Sequence, residues 1–171
     1  MIAFLLLGIY LLLPGIKQEP APSPTPQTQS WNGVTPGQTN INDLVNILGE
    51  PKEKRQQGQN IVFGYPTQSE SLSDEVFISG NIVGLVKEQI LDDTRSLASY
   101  KEAFGEPEGT FYGPYAQSGF LLYVFASKGV AVLAHQNEGL IFEVWRFSPT
   151  SVNEFFTLWG SGLSTQPENK L

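Results

Sequence analysis

A short pattern that occurs twice limits the folds open to this chain more than any other feature. Residues 41–51 align without gaps with residues 97–107, and both copies carry apolar residues at helical spacing. In both, a glycine that tolerates the left-handed conformation follows, and a proline two positions later cannot continue the helix. These residues are Gly49 and Pro51 in the first copy and Gly105 and Pro107 in the second. The pattern predicts two repeated units, each opening with a helix of about ten residues.

Strand-like segments follow each predicted helix. Segments rich in β-branched and aromatic residues, separated by turn residues, lie at 60–65, 75–79, 82–88, 120–126, 130–135 and 140–147. We therefore expect an α+β fold of two tandem α-β-β-β units, each with its own antiparallel three-stranded sheet. The first unit is predicted at residues 31–91 and the second at residues 92–160.

The predicted helix starts carry residues that cap helices well. The candidate N-caps are Thr39 or Asn40 for the first helix and Thr94 or Ser96 for the second. Ser151 and Glu154 form a capping-box pattern before a third, amphipathic helix at residues 152–159. The polar residues that follow, 161–171, are expected to be a disordered tail.

The N-terminal region does not resemble a folded unit. Residues 1–16 are a hydrophobic run that reads as a membrane anchor or a cleaved signal segment, either of which would send the remainder across a membrane. Residues 17–30 contain repeated prolines and few apolar side chains, which predicts an extended linker. We expect membrane attachment if the first segment is retained and secretion if it is cleaved.

Composition excludes several kinds of site. The 171 residues include no cysteine, which rules out disulfides, a thiol nucleophile and a lipidated cysteine. The single histidine, His135, ends a predicted strand and is interpreted as a turn residue. A net charge of −7 argues against nucleic acid as a partner, since phosphate binding requires clustered lysine and arginine. The sequence predicts no cofactor and no metal site.

The repeat and the residues around it resemble a known module. Val34, Gly37 and Thr39 precede the first helix, Gly49 and Pro51 end it, and a hairpin turns at residues 79–81. This arrangement is similar to the SmpA/OmlA (BamE-like) module, and its tandem use resembles the β-lactamase inhibitor protein architecture. The resemblance implies an extracytoplasmic, non-catalytic interaction module, but without the lipid anchor of BamE, because cysteine is missing.

The second unit is unusually aromatic. Alternation along two of its predicted strands leaves both sides of each strand apolar, so either something covers the second side or it is an exposed binding surface. The covering element would be the helix at residues 152–159 or the first unit's sheet. If the surface is exposed, the candidate partner-binding residues are Tyr123, Phe125, Glu143 and Trp145, rimmed by Tyr112 and Tyr115.

These observations predict a membrane-anchored, extracytoplasmic module that binds or scaffolds a protein partner without catalysis. Two alternatives remain open. A carboxylate-dependent hydrolase would need two acids that converge in a cleft, and the repeated pair Glu50 and Glu106 is one candidate. A small-ligand sensor would need an apolar pocket between sheet and helices.

Overall fold

The computed structural model describes residues 29–92 and 95–167, which form an α+β structure. The predicted anchor, most of the predicted linker and the last residues of the predicted tail lie outside the described residues. The elements in chain order are α1 (Ile41–Leu48), β1 (Glu53–Gln57), β2 (Asn60–Pro66), β3 (Ser73–Ser79), β4 (Ile82–Gln89), α2 (Leu97–Phe104), β5 (Gly109–Tyr112), β6 (Phe120–Phe125), β7 (Val130–His135), β8 (Ile141–Phe147) and α3 (Val152–Trp159).

The repeated pattern forms the two helices that it predicts. Asn40 caps α1 by accepting from two backbone N–H groups of its first turn, whereas the Ser96 hydroxyl accepts from the Ser99 N–H and the Ser99 hydroxyl accepts from the Ser96 N–H at the start of α2. Gly49 and Gly105 end the helices with φ of 80° and 87°, a conformation that a side chain would strain. Each helix has eight residues, slightly shorter than predicted.

The prediction of two separate three-stranded sheets is wrong. All eight strands form one antiparallel sheet in the order β1-β2-β3-β4-β8-β7-β6-β5. Each unit contributes four strands, because β1 and β5 add an outer strand to the three that were predicted. The last strands of the two units, β4 and β8, pair along five residues and join the halves into one sheet.

The sheet has two covered faces. The face that carries α1 and α2, which we call the two-helix face, buries Leu44 of α1 against β3 and β4 and Leu97 of α2 against β7 and β8. The opposite face, which we call the α3 face, is covered by α3, whose Phe155 is 0% exposed. Both sides of the sheet are therefore core, which accounts for the apolar residues on both sides of its strands.

Helix α3 contacts strands from both units. Its Phe155 ring lies 4.8 Å from the Phe147 ring of β8, and its Trp159 ring lies 6.2 Å from the Phe77 ring of β3. Gly84 makes room for that tryptophan, since a Cβ there would lie 2.8 Å from its ring. The helix begins as predicted, with the Ser151 side chain accepting from the Glu154 N–H. The Glu154 carboxylate binds the Thr150 hydroxyl rather than closing the predicted box.

The chain after α3 is ordered further than the sequence predicts. Ser164 forms an antiparallel bridge with Tyr112 of β5, where each N–H donates to the other residue's carbonyl at 2.8 Å. This segment therefore lies along the outer edge of β5 instead of fraying. Across residues 29–92 and 95–167, no helix is long and apolar enough to span a membrane.

Candidate functional site

Tyr123 and Phe125 lie in the core of the two-helix face. Phe125 is 1% exposed, and its ring centroid lies 5.8 Å from that of Phe104 in α2. Tyr123 packs against the same cluster, and burial raises the pKa of its hydroxyl. Helix α2 covers Phe125, and Tyr123 is half-buried at the same cluster, so both residues belong to the packing of the second unit.

Trp145 and Glu143 lie on the opposite, α3 face. Trp145 is 7% exposed, and its ring centroid lies 6.3 Å from that of Phe155. Its indole Nε1–H donates to Glu143 Oε2 at 2.7 Å. The other carboxylate oxygen of Glu143 accepts from the side-chain amide of Gln89 at 3.0 Å.

The prediction that these four residues share one exposed surface is therefore wrong. The register shows why: Tyr123 pairs with Val132 and Val132 with Val144, whereas Trp145 pairs with Ala131 on the other face. Alternation within a strand gives the two sides of that strand. It does not determine which sides of two neighbouring strands lie on the same face of the sheet, because this depends on the register between the strands.

A cavity on the α3 face nevertheless brings three of the predicted residues together. Its volume is about 230 Å³. Glu143 and Trp145 form part of its floor and Tyr115 part of its rim. The residues that line it are Lys87, Gly113, Pro114, Tyr115, Leu122, Leu133, Glu143, Trp145, Ser161, Gly162 and Leu163. We call it the Lys87 cavity.

A larger cleft adjoins the Lys87 cavity. It has a volume of about 870 Å³ and lies between the loop 112–117 and the C-terminal segment 162–167. Tyr112 lines the cleft, and the two spaces share Gly113, Pro114, Gly162 and Leu163. The bridge between Tyr112 and Ser164 fixes the C-terminal segment beside both spaces. The predicted rim residues, Tyr112 and Tyr115, are thus placed around one recessed surface.

Gly113 permits the close contact between the loop and the C-terminal segment. A Cβ at this position would lie 3.2 Å from Cδ2 of Leu163. Leu163 also packs against the core of the α3 face. Tyr115 stands opposite, 49% exposed, with its ring 5.6 Å from that of Phe142. An exposed aromatic ring beside an apolar recess is a common feature of binding sites.

Lys87 is the residue of the cavity that sequence reasoning missed. It pairs with Trp145 across β4 and β8, which places its Nζ 3.8 Å from the centroid of the tryptophan ring and 5.0 Å from that of Phe77. Burial lowers the pKa of the Lys87 amine, while the charges of Glu143 and Glu75 act in the opposite direction. The sequence does contain a signal for this position: Lys87 lies two residues after Leu85 in a predicted strand, which places both side chains on the same face of β4.

A charged cluster occupies the middle of the two-helix face. The Glu88 carboxylate accepts from Arg95 at 3.1 and 3.2 Å and from Arg146 at 2.7 Å. Asp74 Oδ1 accepts from the backbone N–H of Gln89 at 2.7 Å. Both oxygens of Glu88 are engaged by arginine, and through Arg146 this cluster ties the two units together.

Asp74 in this cluster gives a testable pH dependence. Burial makes the largest contribution and raises the pKa of Asp74, and the charge of Glu88 raises it further. The hydrogen bond from the Gln89 N–H and the charges of the two arginines lower the pKa by less. A raised folded-state pKa stabilises the fold below the ordinary aspartate pKa, and this contribution is lost as pH rises through the raised value. We expect the stability of the wild type relative to Asp74→Asn to fall as pH rises from below 3.8, the ordinary aspartate pKa, towards neutrality. Urea unfolding of both proteins across this range tests it, and a flat or rising difference would contradict it.

The other candidate residues have local partners. His135 accepts the backbone N–H of Glu138 through Nδ1 at 3.2 Å, as a turn residue does, and its ring packs edge-on against Phe120. Glu50 and Glu106 form ion pairs of 3.0 and 2.8 Å with their own neighbouring lysines, at exposed turns. Among the residues that the structure describes, no group of histidine, aspartate and glutamate has the arrangement of a metal site.

Comparison with known proteins adds information on the fold. The chain matches no protein-family model and no curated protein. It is similar to the crystal structure of an extracellular protein containing an SCP domain from Bacillus anthracis str. Ames, with a TM-score of 0.50 and 8% identity. The match covers 92% of this chain and 56% of that chain, so this chain corresponds to little more than half of the other protein. At this identity the likeness concerns the fold alone.

Proposed function

We propose that this chain is a non-catalytic binding module that works outside the cytoplasm and captures an extended segment of a partner protein in the Lys87 cavity and the adjoining cleft. The observation that carries the proposal is the recessed surface itself. It combines apolar walls, an exposed tyrosine and an ammonium group without an acidic partner within 4 Å among the described residues.

The shape of the surface favours a protein segment as the ligand. The cavity and the cleft share four residues and together run beside the bridge between β5 and the C-terminal segment. Because the two spaces adjoin, a peptide can place one side chain in the cavity and its neighbours in the cleft. The SmpA/OmlA-like features of the sequence favour the same class of function.

The proposed location has separate support. The N-terminal run of the sequence fits a membrane anchor or a secretion signal, and the similar solved structure is that of an extracellular protein. We propose that the run holds the module at the outer side of a membrane. Carbonate extraction of membranes from cells that produce the full chain tests attachment, because an anchored protein stays with the membrane whereas a secreted one does not.

Selection of peptides from a displayed random library tests the proposed binding. We expect the full chain to enrich peptides whose binding is lost in Ser161→Trp, which places an indole at the mouth of the Lys87 cavity. Gln59→Trp is the matched control, because Gln59 is exposed in the turn between β1 and β2 at the far edge of the sheet. Binding that survives Ser161→Trp, or that both tryptophan variants lose equally, would place the binding site elsewhere.

A further inference from the structure

The ammonium group of Lys87 donates to no protein oxygen among the described residues, and it is accessible to solvent in the cavity. A lysine ammonium carries three N–H donors. The Trp145 and Phe77 rings lie 3.8 and 5.0 Å from Nζ and stabilise its charge, but an aromatic face is a poor substitute for an oxygen acceptor. Within residues 29–92 and 95–167, no oxygen accepts a hydrogen bond from this group. A molecule in the cavity that brings an oxygen acceptor can therefore replace water at this ammonium and form a charge-assisted hydrogen bond in a partly buried site.

The charges around Lys87 are already balanced. Glu143 is the acidic residue among those that line the cavity, and its two oxygens receive hydrogen bonds from the uncharged donors of Gln89 and Trp145. Glu75 is paired with Arg55 at 2.5 Å. The floor of the cavity is thus neutral overall. A ligand with a full negative charge would bring an unbalanced charge into a partly buried site, whereas a neutral carbonyl oxygen would not.

The walls of the cavity suit one apolar side chain. Pro114, Tyr115, Leu122, Leu133 and Leu163 supply apolar contacts around the lysine and the glutamate. The volume of about 230 Å³ is below the range of roughly 300–1,000 Å³ that is typical of pockets for drug-sized ligands. It is appropriate for a single side chain with the peptide group beside it.

We infer that the Lys87 cavity receives one uncharged, apolar side chain of the partner segment, and that Lys87 donates a hydrogen bond to the main-chain carbonyl oxygen next to it. The inference rests on the proposed function and narrows it to segments that are apolar and neutral at this point. The net charge of −7 on the whole chain acts in the same direction, since it disfavours acidic segments.

Two small probes test the inference on the full chain. N-acetyl-leucinamide offers an apolar side chain and neutral carbonyls, while N-acetyl-leucine is the same molecule with a carboxylate. We expect N-acetyl-leucinamide to bind with a Kd on the order of 1 mM, given its few non-hydrogen atoms. Its binding should shift the indole N–H signal of Trp145 in NMR spectra. N-acetyl-leucine should bind at least about tenfold more weakly.

Lys87→Met separates the hydrogen bond from the apolar contacts, because methionine keeps an apolar chain and removes the ammonium. We expect it to weaken N-acetyl-leucinamide binding about tenfold or more, with an otherwise native spectrum. The matched control is Lys52→Met, at an exposed lysine outside the cavity, and it should leave the affinity unchanged.

The inference is overturned if N-acetyl-leucine binds as well as the amide, if neither probe binds, or if Lys87→Met binds the amide like the wild type. These results are distinct from failure of the proposed function. Selected peptides that need the open cavity but tolerate Lys87→Met would overturn the role of Lys87 and leave the binding function intact. Selected peptides that tolerate Ser161→Trp would overturn both.

Discussion

Replacement of Phe155 by alanine is expected to lower the free energy of unfolding by about 3 to 5 kcal/mol, the range for truncation of a fully buried aromatic residue. The Phe155 side chain is 0% exposed and packs against Phe147, Phe111 and Trp145, with ring centroids 4.8, 6.1 and 6.3 Å away. It is the main contact through which α3 covers its face of the sheet. Chemical denaturation of the variant and the wild type measures the loss.

The matched control for this prediction lies on the same helix. Leu158 is 56% exposed, so Leu158→Ala should change stability by less than about 0.5 kcal/mol. Because α3 leads directly into the segment that lines the Lys87 cavity, Phe155→Ala should also abolish peptide binding at temperatures where it partly unfolds. Equal stability losses for the two variants would show that α3 is not anchored as the structure describes.

Replacement of Glu88 by alanine is the second change with a large expected effect. It should lower the free energy of unfolding by about 3 to 4 kcal/mol, because it leaves buried positive charge without a partner. The side chains of Glu88 and Arg146 are only 16% and 13% exposed, and their 2.7 Å contact joins β4 of the first unit to β8 of the second. Urea unfolding at neutral pH measures the effect.

Two variants separate this charge effect from a general loss of surface pairs. Glu50→Ala removes an exposed pair with Lys54 and should cost less than about 1 kcal/mol. The double variant Glu88→Leu with Arg146→Met should recover much of the stability lost in Glu88→Ala, since the arginine that then lacks its partner, Arg95, is 32% exposed and can be solvated. A double variant as unstable as Glu88→Ala would contradict the prediction, because the unpaired charge of Arg146 would then not be responsible for the loss.

The helices were predictable because their signals are local. Asn40 and Ser96 act on backbone groups within their own first turn, and Gly49 and Gly105 end the helices through their own backbone conformation. No tertiary information is needed to recognise such caps. The same reasoning placed α3 at the residues where the structure has it.

The joining of the units into one sheet was not predictable in the same way. Residues 53–57, Glu-Lys-Arg-Gln-Gln, form β1 without an apolar side chain, because an edge strand needs only one partner and charged residues keep other chains away. β5 has four residues and offers little pattern. The pairing of β4 with β8 connects residues far apart in sequence, and nothing local encodes it.

The candidate site shows the same limit. Sequence alternation identified Glu143 and Trp145, and the neighbouring loop supplied Tyr112 and Tyr115; all four lie on the cavity or the cleft. It wrongly grouped Tyr123 and Phe125 with them, because the cross-strand register decides which sides meet. Lys87 was not predicted as a site residue because its contact with Trp145 joins two strands from different units, which the sequence pattern does not reveal.

The crystal structure of the full chain with a peptide selected from the library would test the central claim most directly. We expect an extended peptide beside the bridge between Tyr112 and Ser164. One of its apolar side chains should lie in the Lys87 cavity, with a main-chain carbonyl oxygen within about 3 Å of Lys87 Nζ. A peptide bound over α1 or α2, or added as a strand to the edge of β1, would contradict it.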